Sequence, residues 1–189
     1  MRVYFLIAMS RVKRFNSDKI VAFTAIIISL CALVVSFYEV RIMRTQQEAS
    51  VWPYVVMEQQ YSGEGFAIEA ANKGLGPAKI ESFRVWAKGK PVFGLNEIFE
   101  VLIGEDHGIT YNDFSVNDIN KSVLEPRYRK PLFRLKWTEK TREVQKRLSM
   151  MNVEIIYSSI LGECWKLTLR EQNTPCECPK IKEEEQFYF

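Results

Sequence analysis

The chain has 189 residues, with 26 basic and 23 acidic side chains, one histidine and a formal net charge of +3. The surplus is local, because residues 39–189 hold 21 basic and 22 acidic side chains. A positive excess confined to the N-terminal segment speaks to membrane topology and lipid headgroups, and it excludes a strongly basic nucleic-acid-binding domain.

Residues 1–19 form a basic tail through Arg2, Arg11, Lys13, Arg14 and Lys19. Residues 1–8 are mostly apolar but too short to span a bilayer, and Met9, followed by Ser10, Arg11, Val12, Lys13 and Arg14, is the better start for a signal anchor. Residues 20–38 carry no charge and approach the ~20 apolar residues that one transmembrane helix needs. Only Thr24, Ser29 and Ser36 interrupt the run, whereas a soluble core helix keeps a polar stripe. A cleaved signal peptide would be shorter and end in small residues, but this run passes through Phe37, Tyr38, Glu39, Val40 and Arg41. Phe37 and Tyr38 fall where an interfacial aromatic belt lies, and Cys31 reads as a small apolar filler. Only Arg41 and Arg44 follow the span closely, so the basic flank before it retains the N-terminus in the cytoplasm and sends the rest of the chain outward.

Residues 39–51 contain helix formers and neither Gly nor Pro, so the helix is expected to continue as a stalk. Trp52-Pro53 ends it, since the residue before a proline is pushed out of the helical region. Residues 52–171 then read as short strands separated by turns. The first runs over residues 53–61 and turns at Ser62, Gly63, Glu64 and Gly65 into a second over 66–72, where Phe66, Ile68 and Ala70 are expected on one dry face. After the turn at 73–77 comes a strand over 78–87. Leu95, Ile98, Phe99 and Leu102 recur at helical spacing with Gly104 as the stop. Residues 109–114, 121–124 and 132–137 are further strand segments, and 139–150 is expected to be helical, with Glu143 placed to pair with Lys146 or Arg147. A hairpin over 153–160 and 163–170 closes the domain, and about seven strands in ~120 residues suit a small β-sandwich. Residues 172–189 form a Cys-containing acidic and aromatic tail. The fold class is therefore mainly β: a transmembrane helix and stalk, then a β-sandwich with one or two inserted short helices.

The stretch Asn72, Lys73, Gly74, Leu75, Gly76, Pro77, Ala78 resembles the Asn-x-Gly-x-Gly-Pro-Ala turn between early strands of bacterial immunoglobulin-like modules. Together with Trp52-Pro53 and Gly162, Glu163, Cys164, Trp165, the chain resembles an uncharacterised family of small bacterial single-pass inner-membrane proteins. The resemblance implies an outward immunoglobulin-like β-sandwich, a structural turn at Asn72, Gly74, Gly76 and Pro77, and no catalytic residues.

Cys164, Cys176 and Cys178 lie on the expected outer side, where oxidation is normal. Cys164 is out of step with Trp165 and Leu167, so it points away from the face they bury, and a disulfide from it to Cys176 or Cys178 is expected, leaving one thiol. Three thiolates plus His107 are the only full zinc set, and Cys-x-Cys with distant partners is not zinc-module spacing; no metal or cofactor is expected. A redox enzyme lacks its Cys-x-x-Cys. His107 with Asp106 and Asp113 has no serine elbow to complete a triad, and Glu97, Glu100, Glu105 and Asp106 read as the solvated face of a short helix. Gly74 and Gly76 lead into a strand, not the helix that a phosphate loop requires.

Residues 127–147 carry nine basic side chains against Glu139 and Glu143, with Tyr128, Phe133 and Trp137 interleaved. Arg127, Arg129, Lys130, Arg134 and Lys136 could meet an anionic envelope partner: lipid headgroups, a cell-wall polymer or an acidic protein face. The plainer and favoured reading is a sheet edge and helix kept soluble by their charges. The expected function is a membrane-anchored extracytoplasmic binding or scaffold module without catalytic activity. Its partners are the bilayer through residues 20–38 and an envelope protein or polymer, with no nucleic acid. The alternative is a membrane-acting sensor or effector, in stress response or phage defence, that signals through its span.

Overall fold

An uncharged run as long as residues 20–38 can satisfy its backbone without partners only as a helix. In the computed structural model, which describes residues 17–178 and 186–187, that run is the centre of α1 (Ser17–Ser50). The expected tail up to residue 16 and the choice of Met9 as start lie outside the described residues; Ser17, Asp18 and Lys19 already belong to α1. At ~1.5 Å per residue, 34 residues make a rod of about 50 Å. No residue of α1 is buried, and its most apolar window has a mean hydropathy of 2.7. Thr24 Oγ1 donates to the carbonyls of Ile20 and Val21, and Ser29 Oγ to that of Ile26, so these two hydroxyls are satisfied inside the helix. Among the described residues this is the one helix long and apolar enough to cross a membrane.

The chain divides into two compact units, one ending at Gln46 and one beginning at Gln47. The second opens where Val51 N donates to the carbonyls of Gln47 and Glu48 and Pro53 stops the helix. It then builds two antiparallel sheets. In the first, β1 (Val55–Tyr61), β2 (Gly65–Asn72), β7 (Arg129–Lys136) and β5 (Phe114–Val116) lie in the order β1-β2-β7-β5. In the second the order is β10 (Thr174–Cys176), β9 (Cys164–Thr168), β8 (Met151–Ser158), β3 (Ala78–Ala87) and β4 (Lys90–Val92), with β6 (Val123–Leu124) also on β3.

The sheets share one core, which makes the arrangement sandwich-like. Phe66, Ile68, Phe133 and Leu135 from one sheet and Ile80, Phe83, Val85, Val153, Ile155 and Tyr157 from the other belong to it. α2 (Leu95–Ile103) adds Leu95, Ile98, Phe99 and Leu102, the apolar stripe of its sequence, and Gly104 ends it at φ +110°. α3 (Glu139–Lys146) is capped by a Thr138–Thr141 pair, each hydroxyl accepting from the other's backbone N–H.

Several boundaries move. The segment expected at 109–114 is a loop up to Asp113, with β5 beginning at Phe114. The helix expected to reach 150 stops at Lys146 and gives way to a 3-10 turn, Leu148–Met150. The single dry face expected of β2 is also corrected: Ala67 and Ala71 are buried too. Ala67 stands between Gln60 of β1 and Arg134 of β7, and a methyl group flanked by longer residues on both neighbouring strands keeps little surface of its own. Finally, β10 lies beyond residue 171, so part of the expected tail is a strand of the second sheet.

Candidate functional site

The best-organised polar site of the domain is the turn between β2 and β3. Asn72 is 1% exposed and uses all four side-chain bonding positions. Its Oδ1 accepts from Gly74 N at 3.0 Å and Tyr54 N at 3.2 Å, and its Nδ2 donates to the carbonyls of Gly76 at 2.8 Å and Leu124 at 3.0 Å. An amide offers two donors and two acceptor lone pairs, so this buried side chain is fully satisfied. Its backbone continues the network, accepting from Arg127 N and donating to the carbonyl of Tyr128.

The turn grips the residues that follow α1. Lys73 N donates to the carbonyl of Tyr54, and Leu75 N and Gly76 N both donate to that of Trp52. The approach is too close for any side chain: a Cβ on Gly74 would lie 2.4 Å from Trp52 O, and one on Gly76 would lie 1.7 Å from Val51 O. Asn72, Gly74, Gly76 and Pro77 therefore act together, with Pro77 leading straight into β3.

The basic stretch looks different in three dimensions. Arg129 pairs with Glu58 at 3.3 Å, Arg134 with Glu69 at 3.9 Å, and Lys73 also with Glu58. The hydrogen bond from Lys73, opposed by partial burial and helped by the charges of Lys73 and Arg129, holds the Glu58 carboxyl below its ordinary range. Lys130 Nζ donates to the carbonyl of Asp118 at 2.6 Å. Arg127 sits at φ +62° in the turn before β7, and Lys136 is exposed at its end. A shallow depression of ≈ 630 Å³ crosses this face, lined by Gln60, Tyr61, Glu69, Arg129, Arg134 and Lys136 among others. The face is a mixed-charge lattice. The interleaved aromatics are equally engaged: Phe133 is buried, and Trp137 stacks near Phe66 at 5.6 Å under the Arg142 guanidinium at 4.7 Å, which leaves Tyr128 exposed.

The expected disulfide joins Cys164 to Cys178, with Cα atoms 5.3 Å apart. Cys176 keeps a half-buried thiol that burial pushes up in pKa. Cys164 stands opposite Ser158 while Trp165 stands opposite Tyr157, which places the cysteine on the outer face as its alternation required.

The other titratable groups serve local structure. His107 Nδ1 accepts from Ile109 N at 3.0 Å, with its ring 5.5 Å from Phe99. Asp113 receives both the backbone N–H and the hydroxyl of Thr110, which hold its carboxyl low. Glu97 accepts from Phe93 N at 2.6 Å at the start of α2. Among the described residues no three His, Cys, Asp or Glu side chains converge as a metal set, and His107 is not brought to the thiols.

Two features escaped sequence reasoning. Tyr157, which shares the inner face of its strand with Val153 and Ile155 as alternation suggests, is fully buried and stacks on Trp165 at 5.6 Å. Its hydroxyl also reaches across to accept from Val55 N, a contact no local pattern announces, and burial raises its pKa to about 12. On the outer face of the second sheet, Arg84 donates through Nε to Glu154 at 3.0 Å and lies 5.4 Å over Trp86, beside a ≈ 500 Å³ depression that Asn152 and Arg170 also line. Alternation in 84–86 and 152–154 carries that signal, although the pairing of the two segments does not show locally. No protein-family model, curated protein or solved structure matches this chain.

Proposed function

We propose that the chain is a single-pass protein of the bacterial inner membrane, with its N-terminus cytoplasmic and its β domain outside, acting there as a binding or scaffold module without catalysis. The observation that carries this reading is α1: 34 residues, none buried, with a mean hydropathy of 2.7 over its most apolar window. A soluble protein has no reason to leave such a surface uncovered. The Cys164–Cys178 bridge supports an oxidising compartment. The two sheets and the Asn72 turn support an immunoglobulin-like domain of the uncharacterised single-pass family that the sequence resembles. Recognition then belongs to loops and sheet faces on a fixed frame. The mixed-charge face of β1, β2 and β7 fits a protein or polymer bearing both signs better than a purely anionic one.

The test is fractionation. Full-length protein stays with membranes washed in alkaline carbonate, and residues 47–189 expressed alone behave as a soluble protein. Release of the full-length chain by carbonate would overturn the anchor.

One observation favours the second reading, a sensor or effector. The turn residues Leu75 and Gly76 hold Trp52 by its backbone immediately after α1, so a disturbance there reaches the β2–β3 turn directly. Exchange of residues 20–38 for an unrelated span discriminates the two. A scaffold keeps the same crosslinked partners and phenotype, whereas a signalling helix loses its output. Genomic neighbours would separate the two as well: envelope-assembly genes would favour the scaffold and nucleotide-signal synthases the effector.

A further inference from the structure

Three cysteines meet at one end of the second sheet, and two of them compete for the third. β10 pairs with β9 so that Thr174 opposes Lys166, Pro175 opposes Trp165 and Cys176 opposes Cys164. Pro175 has no N–H, so its pair cannot be one that exchanges two hydrogen bonds; the pairs on either side, including Cys176 with Cys164, must be. Directly opposed residues of that kind have Cα atoms about 5.5 Å apart and side chains on the same face. The Cys164–Cys178 bridge spans 5.3 Å. Both separations fall within the roughly 4.4–6.8 Å that a disulfide tolerates. Cys164 is thus within bridging geometry of the partner it holds and of the free thiol across the ladder.

We infer that Cys164 is shared between Cys176 and Cys178, and that the C-terminal segment is fastened in two alternative ways by internal thiol–disulfide exchange. The step needs no oxidant. The Cys176 thiol gives its proton to solvent, and its thiolate attacks Cys164 Sγ. The Cys164–Cys176 bond forms as the Cys164–Cys178 bond breaks, and Cys178 leaves as a thiolate that is then protonated. One disulfide and one thiol are present before and after. Burial of Cys176 keeps its thiol largely protonated, with Lys166 of β9 opposing that effect and Glu154 of β8 reinforcing it, and Tyr157 of β8 nearby. Exchange is therefore slow near neutrality and quickens as the pH rises.

The exchange has a structural consequence. In the bridged form Cys178 Sγ lies 3.3 Å from the carbonyl of Gly162, and Cys178 lines a depression of ≈ 380 Å³ with the exposed side chains of Val123 and Ile160. Transfer of the bond to Cys176 frees Cys178 from that wall. The groove then loses the wall that Cys178 supplies, and the point of anchorage moves from Cys178 to Cys176, two residues along the chain.

The test uses the full-length chain carrying Cys31→Ser, in detergent, to remove the unrelated thiol. The protein is held at about pH 8.5, where a useful thiolate fraction forms, then quenched in acid and alkylated. A glutamyl endopeptidase cuts after Glu177 and so puts Cys176 and Cys178 on separate peptides. The expected result is both linked peptides, Cys164–Cys178 and Cys164–Cys176, with a ratio that becomes constant over time. Cys178→Ser should yield Cys164–Cys176 in most molecules, and Cys176→Ser only Cys164–Cys178. Cys164–Cys178 alone in the parent chain after prolonged incubation, with Cys176 wholly alkylated, overturns the inference. That parent measurement decides the question even if a variant fails to fold.

Discussion

Asn72→Ala is the sharpest perturbation of the domain. It deletes four hydrogen bonds, three of them buried: from Gly74 N, to Gly76 O and to Leu124 O. A lost bond that strands a buried partner costs ~1–2 kcal/mol, and neither the turn nor β6 can move away without breaking its own backbone pairing. The sum is about 3–5 kcal/mol, well above the ~1 kcal/mol of an ordinary substitution. For a domain of this size that is a loss of roughly 10 °C in Tm. The assay is urea and thermal unfolding of residues 47–189 followed by circular dichroism, with Asn117→Ala as control. Asn117 is exposed and makes one side-chain bond, to the carbonyl of Pro131 at 3.0 Å, so its loss should cost less than ~1 kcal/mol. An Asn72→Ala variant as stable as the control would refute the view that this residue holds the turn together.

Other outcomes follow from single contacts. Gly76→Ala places a Cβ 1.7 Å from Val51 O and should destabilise the domain by at least ~2 kcal/mol, with tryptophan fluorescence reporting displacement of Trp52; a neutral effect contradicts the close approach. Tyr157 has its folded pKa raised from 10.0 to about 12, so its contribution to stability is complete below pH 10 and is lost as the pH rises toward 12. Ultraviolet titration should show one late-ionising tyrosine that Tyr157→Phe removes. Reduction of the Cys164–Cys178 bridge, which closes a separation of 14 residues, should cost ~3 kcal/mol on chain-entropy grounds and shift the urea midpoint accordingly; an unchanged midpoint shows that the bridge constrains nothing.

Much of the fold was legible because its signals are local. An uncharged run announced α1, and turn residues with period-two alternation announced the β1–β2 and β8–β9 hairpins. The two strands that went unnoticed, β4 with Pro91 and β10 with Pro175, both carry a proline and both lie at edges of the second sheet. Edges are where a strand can dispense with a donor, so the residue that disguised them also explains their position. β5 was displaced because Ile109 supplies an apolar side chain to the core from a loop, without pairing. The site was read less well than the fold. Counting charges along 127–147 could not reveal that Glu58 and Glu69, from β1 and β2, lie across from those arginines, since strand register is not a local property. The Asn72 turn was recognised as a motif. Its reason, a backbone passing within van der Waals distance of two glycines, became visible only when residues 51–54 were seen against it.

Reporter fusions after Phe189 decide whether the β domain lies outside the cytoplasm on a membrane anchor, as proposed. Alkaline phosphatase folds only in an oxidising compartment and green fluorescent protein exported in unfolded form stays dark, so an outward β domain gives an active phosphatase fusion and a dark fluorescent one. A fluorescent fusion with an inactive phosphatase would reverse the topology and remove the oxidising compartment on which the Cys164–Cys178 bridge depends.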